Sequence, residues 1–232
     1  MKYLFLPNIE NFRYERKFYI EGLTGKEAEA ILKFHPAIFK EIYHERTVNN
    51  IYFDTFGLKH YFDNVNGVSK RLKVRVRWYG DLFGFIKSPT LELKLKHNLH
   101  VAKLLYPLES FTLDHNFSID VMRDMFKRSP IHEVTRLRLM GLNFSLLYSY
   151  NRKYFLSSNR KYRMTIDTGM QGYKLSPYQN TFLHKSAEDT HVVFELKYNR
   201  AQDEFVDTIT SYFPFRMTRN SKYVDGIMKL DV

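Results

Sequence analysis

Charged side chains occupy every second position in several runs that are rich in β-forming residues. In the clearest run, residues 70–78, four cations alternate with four apolar side chains. The cations are Arg71, Lys73, Arg75 and Arg77. A period of two is that of a β-strand, so the cations share one face. At about 7 Å and an effective dielectric near 20, each like-charged pair costs roughly 2 kcal/mol. This face is therefore either fully solvated or arranged to hold a polyanion.

Four further segments repeat the alternation, at residues 13–18, 91–96, 163–167 and 193–197. Three of the five segments contain Glu-x-Lys, which places a carboxylate and an ammonium side by side on one strand face. A single segment of this kind is more often the wet face of an antiparallel sheet. Five such segments favour apolar faces under helices and charged faces turned inward. The predicted fold is therefore α+β, an eight-stranded antiparallel β-barrel with helices packed on the outside and a basic tunnel inside.

Local signals place the helices between these strands. A first strand is predicted over Phe12–Ile20, and Thr24-Gly25-Lys26-Glu27 is a capping box that opens a helix to about Lys33. Apolar residues at helical spacing predict further helices over Ser118–Lys127 and Ala201–Tyr212. Asn220 is the predicted cap of a last helix, Ser221–Lys229.

Composition limits the classes of partner and site. The 232 residues carry a net charge of +11, which predicts an acidic partner such as nucleic acid, a phosphate compound or an anionic membrane. The chain has no cysteine, which excludes disulfides and thiolate metal sites. No linker or repeat divides it, so residues 1–232 are predicted to form a single domain. The apolar patch Tyr3–Leu6 is too short for a signal peptide and no stretch is long enough to span a membrane, which predicts a cytoplasmic protein without a membrane span.

Arginine and lysine on such faces suit phosphate oxygens. Arginine offers a planar fork and lysine a point charge. A carboxylate among them either neutralises a neighbour or holds Mg²⁺ or Mn²⁺ on the phosphates. Phosphoryl transfer needs mainly positioning and charge stabilisation, which such a face supplies without a protein nucleophile. No Gly-rich phosphate loop or dinucleotide fingerprint occurs in the chain.

Ordered short motifs resemble those of a known family. The sharpest are Arg75-Val76-Arg77-Trp78-Tyr79-Gly80 and Ser221-Lys222-Tyr223, and others include Ile51-Tyr52-Phe53-Asp54-Thr55 and Phe194-Glu195-Leu196-Lys197. Together they resemble the VTC domain, the polyphosphate polymerase domain of the vacuolar transporter chaperone complex, which belongs to the triphosphate tunnel metalloenzyme (CYTH-like) superfamily. The matching pieces span residues 12–229.

The resemblance implies roles for fourteen residues. Cations that line the tunnel and bind phosphates in catalysis are implied to be Lys17, Arg75, Arg77, Lys94, Arg152, Arg163, Lys197 and Lys222. Substrate-binding residues are implied to be Tyr150, Ser221 and Lys103. Glu195 is implied to hold the divalent metal, Mn²⁺ or Mg²⁺, while Glu15 and Glu92 are implied either to assist with the metal or to orient lysines.

Departures from the family pattern help to choose the branch. The chain shows neither the SPX domain nor the membrane helices of eukaryotic members, and Arg13 stands where other tunnel enzymes have the first glutamate of Glu-x-Glu-x-Lys. The second departure argues against the thiamine-triphosphatase and adenylate-cyclase branches and for the VTC branch.

Three functions remain open from the sequence. The first is a polyphosphate polymerase-like transferase acting on a nucleoside triphosphate and polyphosphate. The second is a triphosphatase or polyphosphatase, and the third is a polyphosphate-binding module without catalysis. RNA is disfavoured as a partner because the cations alternate with aliphatic residues while the aromatic residues mostly take the opposite face. The sequence does not define the oligomeric state.

Overall fold

A computed structural model of the protein describes residues 13–97, 100–188 and 191–230. Phe12, the predicted start of the first strand, and the apolar patch Tyr3–Leu6 lie outside these residues. Strands occur at β1 (Arg13–Glu21), β2 (Lys40–Asp54), β3 (Lys70–Tyr79), β4 (Gly84–Ile86), β5 (Thr90–His97), β6 (His100–Pro107), β7 (Phe111–Leu113), β8 (Asn143–Leu156), β9 (Tyr162–Tyr173), β10 (Lys185–Glu188) and β11 (His191–Asn199). Helices occur at α1 (Gly25–Lys33), α2 (Lys59–Val65), α3 (Ile119–Arg128), α4 (Glu133–Met140), α5 (Asp207–Thr210) and α6 (Lys222–Leu230), with a 3-10 helix at Arg200–Phe205.

The main sheet has nine strands, and every pairing with a defined register is antiparallel. Its order is β1-β11-β9-β8-β2-β3-β5-β6, with β10 paired to β9, and β4 and β7 form a separate pair. Within the described residues no pairing joins β1 to β6, so this sheet is not closed. The α+β class with a large antiparallel sheet is confirmed, whereas the predicted eight-stranded barrel is not.

The described residues belong to two compact units. The first takes its residues from Met1–Arg46, Tyr150–Met170 and Glu188–Asn220, and the second from Thr47–Ser149, Gln171–Ala187 and Ser221–Val232. Each unit has its own cluster of buried apolar side chains.

In the first unit, alternation gives β1, β11 and β9 an apolar face. Phe18, Phe194 and Ile166 lie side by side on the three strands and are buried. Leu32 of α1 belongs to the same core. Thr24 accepts the amide N–H of Glu27, whose side chain accepts the amide N–H of Thr24, so the predicted capping box is confirmed. The opposite face of the three strands carries the charged residues.

In the second unit, β3 shows the same division. Val76 and Trp78 point into a core that also contains Phe111 and, from α3, Met125 and Phe126. The predicted helix over Ser118–Lys127 is confirmed as α3, with Ser118 as its N-cap. The apolar sides of β3 and β5 are buried in this core, which leaves their cationic sides on the other face.

Two predictions about the C-terminal region are wrong in detail. Residues 201–212 do not form one helix, because a 3-10 helix over Arg200–Phe205 precedes the single short turn α5. The last helix begins at Lys222, and the hydroxyl of Ser221, not Asn220, accepts the amide N–H of Val224 at 3.4 Å. Among the described residues, none of the helices combines the length and apolar character required to cross a bilayer.

Candidate functional site

The first unit holds a carboxylate surrounded by cations. Glu195 of β11 lies 3.6 Å from the Nζ atom of Lys17, 3.0 Å from that of Lys197 and 3.4 Å from the Nη2 atom of Arg152. Arg152 also binds Asp167. These five residues are named the Glu195 cluster. They come from four strands, so the cluster depends on the sheet pairing and not on any one segment.

Strand register explains why these side chains meet. Lys17, Glu195 and Thr165 form one row across β1, β11 and β9, and the next row is Glu15, Lys197 and Arg163. Because directly opposed residues of a sheet point to the same side, both rows lie on the face away from the apolar core. The alternation in the sequence thus becomes a two-dimensional charged surface.

Arg152 is the most constrained cation of the Glu195 cluster. Its guanidinium donates to both carboxylate oxygens of Asp167, at 2.5 and 2.7 Å, and Asp167 is fully buried. Burial disfavours the charged guanidinium, but Asp167, Tyr150 and Glu195 outweigh this effect and hold the pKa of Arg152 well above its usual range. The guanidinium lies 5.2 Å from the centre of the Tyr150 ring. Arg152 is therefore a fixed, permanently charged group.

Lys17 is also held in its charged form. Burial acts against its ammonium group, but the carboxylates of Glu195 and Glu15 outweigh that effect and raise the pKa of Lys17. The Nζ atom also donates to the backbone carbonyl of Asn220 at 3.3 Å. A fixed ammonium in this position can bind an anion without changing its protonation state.

The second unit holds a similar arrangement around Glu92 of β5, named the Glu92 cluster. Arg75 donates to Oε2 of Glu92 through Nε at 2.7 Å and Nη2 at 2.5 Å, and Lys103 donates to Oε1 at 3.0 Å. Arg77 lies 3.8 Å from Oε1 and also donates to the side chain of Asn50 at 3.0 Å.

The Glu92 carboxylate titrates far from its ordinary range. Burial alone raises its pKa, but the charges of Arg75, Arg77 and Lys103 lower it to about 2. Burial lowers the pKa of Lys103, and the attraction of the Glu92 carboxylate offsets only part of that decrease. The net effect is a carboxylate that stays ionised and keeps three cations in place.

Three lysines form a row next to the Glu92 cluster. Lys94 of β5 lies directly opposite Lys73 of β3 on one side and Lys103 of β6 on the other. Opposed residues have Cβ atoms about 4.5–5.5 Å apart, and like charges at that separation are destabilising. This lysine row concentrates three ammonium groups on one face of the sheet.

The N-terminal end of α6 meets the lysine row. The Nζ atom of Lys73 donates to the hydroxyl of Ser221 at 2.7 Å. Lys222 follows as the first residue of α6 and is half-buried. Hydroxyl and amide groups at a helix N-terminus favour anions, so this end of α6 extends the basic surface.

The fourteen predicted site residues divide between the two units. The first unit contains Glu15, Lys17, Tyr150, Arg152, Arg163, Glu195 and Lys197, and the second contains Arg75, Arg77, Glu92, Lys94, Lys103, Ser221 and Lys222. Within each unit the strand register or direct contacts bring most of them together. Arg163 and Glu15 share the face of the Glu195 cluster but are exposed at its margin.

Three neighbours were not assigned a role from the sequence. They are Asp167, which binds Arg152, Lys73, which completes the lysine row, and Thr165, whose buried hydroxyl has no hydrogen-bond partner among the described residues. All three occupy alternate positions already recognised as the charged faces of their strands. That periodicity is the signal that could have identified them.

The carboxylates differ in how well they suit a divalent cation. The described residues contain no group of three or more histidine, aspartate or glutamate side chains arranged to hold a metal. Mg²⁺ needs fewer when phosphates supply the remaining oxygens, since one or two carboxylates then suffice. Both oxygens of Glu195 and both oxygens of Glu92 lie near cations. Glu195 fits a metal better because its Oε1 atom has Lys17 at 3.6 Å, whereas the two oxygens of Glu92 are held by Arg75 at 2.7 Å and Lys103 at 3.0 Å.

Solved structures share this fold over nearly the whole chain. A candidate adenylyl cyclase from Hippeastrum with a dominant triphosphatase activity is 13% identical, with a TM-score of 0.52 and coverage of 93% of this chain and 96% of that one. A candidate adenylate cyclase from Bacillus halodurans is 14% identical, with a TM-score of 0.51 and coverage of 93% and 95%. A conserved hypothetical protein from Pyrococcus furiosus is 12% identical, with a TM-score of 0.51 and coverage of 92% and 99%. At these identities the likeness concerns the fold alone.

Sequence comparisons identify the family. A search of curated protein sequences gives no match. The family model of the VTC domain matches residues 12–231, which include both charged clusters, the lysine row and the start of α6. The family expected from the short motifs is thereby confirmed. This chain belongs to the VTC domain family.

Proposed function

We propose that this protein is a metal-dependent phosphotransferase of the polyphosphate polymerase kind. It binds a nucleoside triphosphate or polyphosphate on its basic strand faces and transfers the terminal phosphoryl group to a growing polyphosphate chain. The lysine row is the observation that carries the proposal, since Lys73, Lys94 and Lys103 are placed side by side. Linked phosphates at a spacing of a few ångströms would offset the repulsion between these ammonium groups. Separate anions would each lose translational entropy on binding, whereas the phosphates of one chain lose it together.

Family membership and fold support an enzyme of the triphosphate tunnel class. Within that class, each cation of the two clusters takes the same general role. Contacts to phosphate oxygens are proposed for Lys17, Arg75, Arg77, Lys94, Lys103, Arg152, Arg163, Lys197 and Lys222. Hydroxyl contacts to phosphate are proposed for Tyr150 and Ser221.

Chemistry at such a site requires no protein nucleophile. A phosphate oxygen of the acceptor chain attacks the terminal phosphorus of the donor, and the bond from that phosphorus to the bridging oxygen breaks. The leaving group, a nucleoside diphosphate or a polyphosphate shortened by one phosphate, keeps the bonding electrons as negative charge. Fixed cations such as Arg152 and Lys17 stabilise the charge that develops during this transfer and hold the two oxygens in line.

The acidic residues preorganise the cations for phosphate binding. Glu92 and Glu195 each hold several ammonium and guanidinium groups in place before substrate arrives. An arriving phosphate chain would exchange these contacts for stronger, charge-assisted ones. Preorganised charges of this kind lower the cost of reorganisation during the reaction.

We assign the metal role to Glu195, with Glu15 assisting from the neighbouring strand. Bound Mn²⁺ or Mg²⁺ supplies Lewis-acid stabilisation of phosphoryl oxygens. Of the two roles that the family resemblance implies for Glu92, we assign it the orientation of cations, because it contacts Arg75, Arg77 and Lys103. Residues 1–232 would work as one VTC domain, in the cytoplasm where nucleoside triphosphates are abundant, and nucleic acid is not a proposed partner.

The test is synthesis of polyphosphate by the purified protein. Wild-type protein is incubated with γ-labelled ATP and Mn²⁺, and labelled chains are resolved by electrophoresis. Long chains are expected for wild type, with a loss of at least tenfold in the Glu195→Gln variant. Glu29→Gln is the matched control, because Glu29 also pairs with two lysines, Lys33 and Lys153, away from the charged face. No chain growth by wild type, or equal synthesis by both variants, would overturn the proposal.

Hydrolysis is the second candidate. It is favoured by the fold shared with the Hippeastrum protein, for which a dominant triphosphatase activity is stated. The same cations would serve, with water replacing the acceptor phosphate. Release of orthophosphate from tripolyphosphate, without chain growth from ATP, would select this activity. Tight binding of labelled polyphosphate with neither reaction would leave only the role of a binding module.

A further inference from the structure

Asp54, the last residue of β2, is a buried junction between three elements. Its side chain is 1% exposed. One carboxylate oxygen accepts the backbone N–H groups of Thr55 and His60, at 2.7 and 2.8 Å, and the other accepts that of Tyr61 at 2.9 Å. Leu58 at the N-cap of α2 provides no capping side chain, so Asp54 performs that function from outside the helix.

The same carboxylate binds α6. The hydroxyl of Tyr223 donates to Oδ2 of Asp54 at 2.6 Å, across a separation of 169 residues. The Tyr223 ring stacks on Tyr52, with ring centroids 5.0 Å apart, and meets Tyr61 edge to face at 6.4 Å. Burial and the bond to Asp54 raise the pKa of Tyr223, so its hydroxyl remains a donor.

One turn after Tyr223, the backbone of α6 at Gly226 packs closely against β8. A Cβ atom added to Gly226 would lie 2.5 Å from Cδ2 of Leu146 and 3.0 Å from Cδ2 of Tyr148, both on β8. The helix therefore lies directly against the sheet. The bond between Tyr223 and Asp54 is a second, directional contact near the start of the helix.

Tyr223 is directly preceded in the chain by Ser221 and Lys222. The hydroxyl of Ser221 accepts a hydrogen bond from Lys73. We propose that Asp54 and Tyr223 are positioning residues that hold Ser221 and Lys222 beside the lysine row, where both bind phosphates of the substrate chain. This inference rests on the proposed function. Asp54 and Tyr223 are buried and do not touch substrate, so they act through the placement of their neighbours.

Tyr223 is so close in the chain to Ser221 and Lys222 that a small rotation at Tyr223 would displace both phosphate-binding groups. Loss of the hydroxyl contact would allow the first turn of α6 to rotate, and this turn carries Lys222 and directly follows Ser221. Displacement of a binding group by about 1 Å can change a rate a hundredfold. Because the released groups bind the chain and do not form or break bonds, the effect should fall on KM and on the dissociation constant more than on kcat.

The main test variant is Tyr223→Phe, which removes only the hydroxyl. The matched control is Tyr106→Phe, which removes a half-buried hydroxyl that joins β6 to Thr135 of α4 and does not touch α6. We expect Tyr223→Phe to raise the KM for ATP and the dissociation constant for tripolyphosphate about tenfold, with kcat within about threefold. Tyr106→Phe should leave both constants unchanged.

A double variant separates positioning from simple loss of stability. If Tyr223 acts through Ser221, the effects of Ser221→Ala and Tyr223→Phe on the dissociation constant should be less than additive. Asp54→Asn, assayed below its melting temperature, should show the same rise in the dissociation constant. Hydrogen exchange at residues 221–225 should accelerate in both Tyr223→Phe and Asp54→Asn.

The outcomes distinguish this inference from the proposed function. Wild type that binds tripolyphosphate but makes no polyphosphate refutes the polymerase and still tests the positioning role through the dissociation constant. An unchanged constant in folded Tyr223→Phe, or an equal rise in Tyr106→Phe, refutes the positioning role alone. Absence of tripolyphosphate binding by wild type refutes both.

Discussion

Lys73 and Lys94 lie directly opposite each other on the neighbouring strands β3 and β5. Lys103 extends the pair on the far side of Lys94. Cross-strand pairs of opposite charge stabilise sheets, and like charges in the same place destabilise them. In this row Glu92 pairs with Lys103, and the hydroxyl of Ser221 accepts a hydrogen bond from Lys73. The three ammonium groups are therefore held close together on one face of the sheet, an arrangement that suits a ligand with several linked negative charges.

Replacing the central lysine tests whether the lysine row binds linked phosphates. Lys94→Gln removes one ammonium group from the row, so it should lower the affinity for tripolyphosphate. Added tripolyphosphate should therefore raise the melting temperature of wild type more than that of the variant. Thermal melts with and without the anion measure this difference. Lys161→Gln, which replaces an exposed lysine in the turn before β9, is the control and should respond to the anion like wild type. An equal rise in wild type and Lys94→Gln would contradict this account.

The depressed pKa of Glu92 predicts a defined pH dependence of stability. The ionised carboxylate is favoured in the folded state, where its pKa is about 2 instead of 4.5. Its contribution is therefore complete above about pH 5 and is lost as pH falls toward 2. At neutral pH the difference corresponds to roughly 3 kcal/mol. Urea unfolding of wild type and Glu92→Gln should show a gap of that order at pH 7, narrowing steadily below pH 5. A gap that stays constant from pH 7 to pH 3 would show that Glu92 acts through packing and not through charge.

The buried pair of Arg152 and Asp167 should show strong energetic coupling. Removing only the arginine leaves a buried carboxylate without its main partner, so Arg152→Ala should cost about 3–5 kcal/mol. The double variant Arg152→Ala, Asp167→Ala should be less destabilised than the sum of the single variants by about 2 kcal/mol. Arg152→Lys should recover little, because an ammonium group cannot donate to both oxygens of Asp167 in the geometry of the guanidinium. A double-mutant cycle by urea unfolding measures the coupling, and additive effects would contradict a direct pair.

Whether Gly226→Ala stabilises or destabilises the protein tests how closely α6 packs on β8. Glycine to alanine inside an exposed helix normally stabilises by about 1 kcal/mol. Here the new Cβ atom would meet Leu146, so Gly226→Ala should destabilise by about 1–3 kcal/mol. Gly57→Ala is the control, since a Cβ atom at Gly57 meets nothing within 4 Å. Stabilisation by Gly226→Ala would show that α6 does not lie closely against β8.

The strands of the site could be predicted because alternation is a local property. The faces assigned to residues 70–78 agree with the burial seen in β3, whereas in β11 both faces are buried over residues 191–196. Alternation gives the face of each side chain but not its partner on the next strand. The contact of Glu195 with Lys17 depends on a register set across about 180 residues, and no local pattern encodes it.

Elements with a weak local signal were missed or misplaced. Residues 136–139 of α4 alternate Arg, Leu, Arg, Leu, which is a strand-like period within a helix that packs on α3. Strand β6 ends at Pro107, and the short strand β7 begins at Phe111 and pairs with β4 in a separate ribbon. In both cases tertiary packing overrides the local preference.

The pairing of β1 with β11 determines when the first unit can fold during biosynthesis. Arg13 lies opposite Asn199, so the first described strand finds its partner only after the intervening residues, about 180 of them, have been made. At translation rates of about 5–20 residues per second, β1 waits on the order of 10 to 40 s after synthesis. During that interval Phe18 and its apolar neighbours have no sheet to cover them. Completion of the first unit therefore has to follow the synthesis of β11, and until then the apolar face of β1 is available for incorrect pairing.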